Sequence, residues 1–380
     1  MMLGALAYIP IILLSIPTAV FAAECVAAMF SKRQSHPDPA PQPRLAVLIP
    51  AHNEAAVIEQ TLQYLLPQLN PQDRAIVIAD NCSDATAQLA QQCGAEVLKR
   101  ANLQHRGKGF ALDHGLRHLE KNPPQTVVIV DADCHVHPGA LQRIAAQSQA
   151  HNRPVQALYL MAQPAQPKPK DAVSALAFLV KNLVRPTGLQ QLGLPCLLTG
   201  TGMAFPWALI KNAPLASGNI VEDMQLGLDL AMAGYPPMFC GEARVTGTLP
   251  QQASAATSQR TRWEHGHLQT LLTQVPRLLR HGQWGLAAEL CVPPLALLVL
   301  LWLVAFAGAA LVGLLPCLSA AVGLCTVVAC VVAAWLRFGQ DHVAFSSLLQ
   351  APLYVLWKLP IYAGFVLKRQ KAWVRTERDP

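Results

Sequence analysis

Charge is what this sequence has least of. Asp, Glu, Lys and Arg make up only 13% of its 380 residues, while 52% are hydrophobic; soluble domains average about 25% charged. The deficit argues for membrane segments, and it is concentrated: residues 2–23 carry no charge, and neither do residues 290–336. A span needs about 20 apolar residues, so the first run holds one helix and the second has room for two. Also missing is a basic residue ahead of the first run, which is longer than the roughly 7 to 15 residues of a secretory h-region. A cleaved leader is therefore disfavoured against a permanent anchor. Lys32 and Arg33 are the first positive charges, and the positive-inside rule then places the following domain in the cytosol, at a cell inner membrane, with the N-terminus outside.

C-x-x-C pairs are absent too. The ten cysteines are scattered, and Cys291, Cys317, Cys325 and Cys330 lie within apolar runs. In a cytosolic protein they stay reduced and behave as small buried apolar residues. The net charge of +7 is the ordinary excess of Lys and Arg flanking membrane helices. Nothing in it marks a nucleic-acid partner; membrane lipid is the partner expected.

What is present begins with a proline-rich stretch, Ser35 to Arg44, in which Pro37, Pro39, Pro41 and Pro43 favour an extended, non-helical linker. The pattern then alternates. Apolar strands are expected at Leu45–Ile49, Ala75–Ala79, near Val97 and at Thr126–Val130, with helices at about Glu54–Leu66, Ser83–Cys93 and Lys108–Leu119. That succession reads as α/β, a parallel sheet covered by helices on both faces. Ligands of such sheets bind beyond the carboxyl ends of the strands. Three polar loops fall there: Pro50-Ala51-His52-Asn53-Glu54, Asp80-Asn81-Cys82-Ser83-Asp84 and Asp131-Ala132-Asp133.

Asp131 and Asp133 are two hard oxygen ligands at a strand end, suited to Mg²⁺ or Mn²⁺ shared with substrate phosphates. His135 and His137 form an H-x-H that could offer zinc two ligands of one face, with no third in evidence. Arg100, His105, Arg106 and Lys108 make a basic, glycine-bearing loop before a helix, a place where phosphate can bind or simply a solvated turn. Leu198 to Phe205 is strand-like, with Gly200 and Gly202 permitting close backbone approach. Glu222-Asp223 opens a helix to Ala233; an acidic pair there complements the helix dipole or supplies a general base. Gln259-Arg260-Thr261-Arg262-Trp263 can grip a diphosphate and stack on a sugar, or anchor an interfacial helix to lipid.

In series, the P-x-x-N-E, D-N-C-S-D, G-K-G, D-A-D, T-G-T-G, E-D and Q-R-T-R-W elements closely resemble the membrane-integrated family 2 glycosyltransferases, the group with cellulose, hyaluronan and poly-N-acetylglucosamine synthases. The resemblance covers about residues 45–270. It implies a GT-A (Rossmann-like) nucleotide-sugar-binding domain and an inverting, metal-dependent transfer from a nucleoside diphosphate sugar, UDP-linked in the first instance. By the same resemblance Ala51, Glu54 and Asp80 bind the nucleoside, Lys108 the diphosphate, Asp131 the nucleotide and Asp133 the metal. Asp223, next to Glu222, is the general base, and Gln259, Arg262 and Trp263 serve the acceptor and the leaving diphosphate.

The expected organisation is a transmembrane helix at 1–30, a linker at 31–44, a cytosolic GT-A domain at 45–285 and two transmembrane helices at 286–337, turning near Pro316. Residues 338–380 follow as an interfacial or re-entrant segment with a basic cytosolic tail. Lys358, Pro352 and Pro360 interrupt the apolar stretch Val343–Leu367, for which a full span is the alternative. About three membrane helices are few for a channel-forming polymerase. The expected acceptor is therefore a lipid-linked or growing saccharide at the cytosolic face, in exopolysaccharide or envelope glycan assembly with possible partner subunits. A processive polysaccharide synthase, a non-catalytic nucleotide-sugar-binding scaffold and a nucleotidyltransferase are the alternatives.

Overall fold

The computed structural model describes residues 2–31, 42–216, 221–367 and 369. The proline-rich stretch 35–41 and most of the basic tail lie outside the described residues. In chain order the elements are α1 (Met2–Met29), β1 (Leu45–Ala51), α2 (Ile58–Leu65), β2 (Arg74–Asp80), α3 (Thr86–Gln92), β3 (Glu96–Arg100), α4 (Lys108–Leu119) and β4 (Thr126–Ile129). Then come β5 (His135–Val136), α5 (Ala140–His151), β6 (Val155–Ala162), α6 (Pro169–Leu179), α7 (Arg185–Gln191), β7 (Met203–Pro206), α8 (Trp207–Ile210), α9 (Glu222–Met232) and β8 (Met238–Thr248). The chain closes with α10 (Ala253–Arg280), α11 (Trp284–Cys291), α12 (Leu295–Ala310), α13 (Leu314–Ala334), α14 (Phe345–Leu348) and α15 (Ala351–Leu367). These elements sort into two units. One takes 33–162 and 195–258; the other takes 1–32, 163–194 and 259–370.

The first unit is built on an eight-stranded sheet of order β3-β2-β1-β4-β7-β6-β8-β5. Ala46 and Leu48 of β1 join Ile76 and Ile78 of β2, Val127 and Ile129 of β4, and Leu112, Leu116 and Leu119 of α4 in one core. The intervening Val47 and Ile49 are equally buried, so both faces of β1 are covered, which is why the strand shows no polar alternation. The four strands expected to be parallel are so, β1 pairing with β2 and β4 and β2 with β3 in that sense, while β7, added beside them, runs antiparallel to both β4 and β6. With Ile129 paired to Met203, the glycine turn is laid beside the aspartates that follow β4.

Helices α2 and α3 begin three to four residues later than their patterns suggest, at Ile58 and Thr86. The polar residues ahead of them are engaged in bonding loop to loop, with Asn53 and Asn81 in the left-handed region that Asn tolerates.

The second unit is helical. Among the described residues two helices are long and apolar enough to cross a membrane, Leu6–Met29 and Leu314–Gly339, and the pair α11 plus α12, bent by 67°, makes a third if taken as one span. The bend follows from Pro293 and Pro294, which break the first of the two helices expected within 286–337. The hairpin turn falls at residues 311–313 rather than at Pro316, which sits in the first turn of α13, where a missing N–H costs nothing.

One charge is buried within α1. Glu24 accepts from Arg185 Nε at 2.5 Å, and Arg185 Nη2 also donates to the Glu289 carbonyl at 2.9 Å. Removing one partner of such a pair leaves an uncompensated buried charge, whereas replacing both by apolar residues does not. Arg185→Met is expected to destabilise the helical unit by about 3 to 5 kcal/mol, and Glu24→Leu with Arg185→Met to recover most of the loss. Thermal unfolding of the full chain in detergent checks both, and equal melting of the two variants would contradict the pairing.

Candidate active site

The first two polar loops are laced together. His52 Nδ1 lies 2.7 Å from the Asp80 carbonyl oxygen, the Ser83 amide donates to Asn53 Oδ1 at 2.7 Å, and the amide of Glu54 donates to Thr86 Oγ1 at 2.8 Å. Ala51, Glu54 and Asp80 are buried where these loops meet. Asp80 accepts from Arg100 Nη1 at 2.5 Å and from Asn81 Nδ2 at 3.0 Å. Arg100 thus pairs with a carboxylate of the strand next to its own.

Lys108, the first residue of α4, reaches across the strand ends. Its Nζ donates to Asp131 Oδ1 at 2.5 Å and to the Gly200 carbonyl at 2.6 Å. The carbonyl is available because Gly200 takes φ +95°, and a Cβ there would lie 3.2 Å from Asp223 Oδ2 and 3.6 Å from Lys108 Nζ. Gly200 therefore lets the helix-opening Asp223 and the strand-end Asp131 approach one ammonium. Thr201, fully buried, accepts from the Asp131 amide at 3.1 Å, and the Ala132 carbonyl accepts from Thr61 Oγ1 at 2.8 Å. Both sides of the D-A-D backbone are held.

Electrostatics follow from this crowding. Burial alone would lower the pKa of Lys108, but Asp131, Glu222 and Asp223 outweigh it and hold the ammonium charged. Burial raises the Asp131 carboxyl, opposed by Lys108 and reinforced by Asp133. The Cys134 thiol is pushed well up by burial and then by Asp133 and Asp131. Ligand atoms of Asp131, Asp133 and Cys134 lie within 4.8 Å of one another. Two carboxylates on rigid backbone fit a hard divalent cation; a protonated, buried thiol contributes little to one. His135 and His137 are not part of that group. They stack on each other with centroids 4.4 Å apart, Tyr64 covers His135 at 3.8 Å, and His137 Nε2 lies 2.9 Å from Thr246 Oγ1.

Residues 41–266 match the sequence profile described as glycosyltransferase-like family 2. The chain belongs to that family. Among its curated relatives, a probable glucomannan 4-beta-mannosyltransferase 15 of Arabidopsis thaliana is 25% identical over 251 residues, 59% of this chain and 44% of that protein. A probable glycosyltransferase YdaM of Bacillus subtilis is 35% identical over 99 residues, 24% of this chain and 23% of its own. The chain thus spans about half or less of the length of these relatives. Among solved structures, the mannosyltransferase PcManGT of Pyrobaculum calidifontis, in complex with GDP-Man and Mn²⁺, is 20% identical with a TM-score of 0.55, covering 91% of this chain and 99% of that one. The fold of this family 2 chain is α/β of the GT-A type, flanked by two candidate membrane helices.

In this family 2 unit the structure brings Lys108, Asp131, Asp133, Glu222 and Asp223 together, with Ala51, Glu54 and Asp80 on the adjoining loops. Gln259, Arg262 and Trp263 belong to the helical unit. There Trp263 packs on Phe178 at 5.6 Å between centroids, Arg260 lies 4.9 Å over the Trp263 ring, and Gln259 Oε1 is buried with no hydrogen-bond partner among the described residues. Sequence reasoning missed Thr201 and the Gly200 carbonyl as parts of the site. The signal was T-G-T-G itself, read only as close backbone approach.

Lys108→Met should make Mn²⁺ binding fall more steeply as the pH is lowered, because Asp131, deprived of its cation, would take up a proton at higher pH. Calorimetric titration of Mn²⁺ at several pH values checks this, and an unchanged slope would show that Lys108 does not govern Asp131.

Proposed function

We propose that this chain is an inverting, metal-dependent glycosyltransferase of the hexosyltransferase class. It moves a sugar from a nucleoside diphosphate sugar to a lipid-linked or growing saccharide on the cytosolic side of a cell inner membrane. The observation that carries the reading is the gathering of Lys108, Asp131 and Asp223 at Gly200, with Asp133 beside Asp131, a cation and three carboxylates drawn from three chain segments. A scaffold that only bound the nucleotide would have no use for Asp223 at that point.

Ala51, Glu54 and Asp80 bind the nucleoside in this account, and Asp131 the nucleotide. Asp133 is the residue that would hold Mg²⁺ or Mn²⁺, which when bound offsets charge developing on the leaving diphosphate. Lys108 turns from Asp131 and Gly200 to the diphosphate oxygens. Asp223 accepts the proton of the attacking acceptor hydroxyl, work worth about 10² to 10⁴-fold. Glu222, next to it, adds to the field that keeps Lys108 charged. Gln259, with its unpartnered amide oxygen, and Arg262 and Trp263 are assigned to acceptor and diphosphate on the strength of the Q-x-x-R-W resemblance.

The helix α15, apolar but only 17 residues long and carrying Lys358 in its interior, is proposed to lie in or re-enter the interface. Residues 45–285 are taken as the cytosolic part and the long apolar helices as anchors. The donor class begins with UDP-linked sugars, and the GDP-Man in the solved mannosyltransferase adds GDP-linked ones. An exopolysaccharide or envelope glycan, built with partner subunits, is the product context.

Membranes containing the chain, incubated with radiolabelled UDP- and GDP-sugars, should pass label into a lipid or saccharide fraction with one of them. No transfer from any would reject the reading. Asp223→Asn should bind nucleotide normally and lose at least about 100-fold in transfer rate; a rate close to wild type would remove Asp223 from the role of base.

A further inference from the structure

Directly after Trp263, helix α10 carries a carboxylate that the proposed reaction does not use. Glu264 is 8% exposed, and the side chain that meets it is Lys358 of α15, 3% exposed. Lys358 Nζ donates to Glu264 Oε1, and Tyr362 Oη donates to Glu264 Oε2 at 3.1 Å. The fastening continues on both sides. His265 Nε2 lies 2.8 Å from the Ile361 carbonyl, and the Arg260 guanidinium donates to Ser174 Oγ, to which Tyr354 Oη of α15 also donates at 3.4 Å. Lys358 further sits 5.2 Å over the Tyr354 ring.

These groups form an ordered polar network between α10, α6 and α15, beside an apolar cluster that includes Val173, Ala296 and Val355. A buried ion pair is a poor source of net stability, because desolvating two charges cancels most of their attraction, and apolar residues of similar volume do as well or better. What it does supply is one permitted geometry, since both ends must meet or both are left buried and unpaired. The geometry fixed is that of α10. Arg260 and Glu264 are one turn apart, as are Gln259 and Trp263, and the two pairs are set about 100° apart around the helix. Gripping the first pair sets the roll and height of the second.

We infer that Lys358 and Tyr362 are positioning residues: through Glu264, helix α15 holds α10 in the one orientation that presents Gln259, Arg262 and Trp263 to the reaction. The inference rests on the reading of those three as acceptor and diphosphate residues. It makes the C-terminal helix, which lies beyond the part of the chain that matches the family profile, a component of the transfer machinery.

The test uses the full chain in detergent or nanodiscs and the apolar double variant Glu264→Leu with Lys358→Met. It is expected to melt within a few degrees of wild type and to bind nucleoside diphosphate and Mn²⁺ as wild type does. Its kcat should fall roughly tenfold to a hundredfold, with the donor KM unchanged. A kcat within about twofold of wild type in the folded variant would overturn the inference, and so would a loss of nucleotide affinity that accounts for the lower rate. Should the double variant fail to fold, Tyr362→Phe decides: a fall in kcat of about threefold at unchanged melting supports positioning, and the wild-type rate overturns it. Trp263→Ala, assayed in parallel, separates the two levels. Full transfer by Trp263→Ala would remove the motif's assignment, whereas loss there beside full transfer by the double variant would remove only the role of Lys358 and Tyr362.

Discussion

The site depends on one ammonium group set among carboxylates. Lys108 bonds to Asp131 and to the Gly200 carbonyl, and the field of Glu222 and Asp223 keeps it charged in spite of burial. The cation offsets the mutual repulsion of acidic groups brought to one sheet edge from the D-A-D loop and the start of α9. The backbone is arranged around the same constraint. Gly200 turns with φ +95° so that Asp223 can come close, and Gly202, at φ +64°, packs against Ala157 and Val245, where a Cβ would come within 2.9 Å of each. Antiparallel β7 exists in the register that carries this turn to the end of β4.

Much of this was legible in the sequence. The runs Leu45–Ile49 and Thr126–Val130 are too apolar to be anything but buried strands, and the polar loops following them fall where an α/β sheet binds ligands. The order of seven short elements pointed to the family to which residues 41–266 belong. What could not be read were features of pairing. No local pattern says that β7 runs antiparallel to its neighbours, or that Arg100 pairs with Asp80, because both depend on which strand ends up adjacent. Helix starts at α2 and α3 were misplaced for a related reason: Asn53, Ser83 and Asp84 have the composition of caps, yet they bond across to the partner loop.

The helical unit shows the same use of charge in apolar surroundings. Arg185 with Glu24, and Lys358 with Glu264, are buried pairs in which Glu24 and Lys358 come from predominantly apolar helices. In the sequence Lys358 stood out only as an interruption of an apolar stretch. In space each ties an apolar helix to a polar partner, and Lys358, which looked like an obstacle to a membrane span, is half of a clasp on the helix bearing Gln259, Arg262 and Trp263.

The central claim is a division of labour among the acidic groups, with Asp133 for the metal, Asp131 for the nucleotide and Asp223 for the proton. It is tested most directly by the anomalous scattering of manganese in crystals grown with Mn²⁺ and a nucleoside diphosphate. The account predicts a manganese peak at the Asp133 carboxylate, with Lys108 turned to the diphosphate and Asp223 free of the metal. A peak held by Asp223, or by His135 and His137, or none beside bound nucleotide, would contradict it.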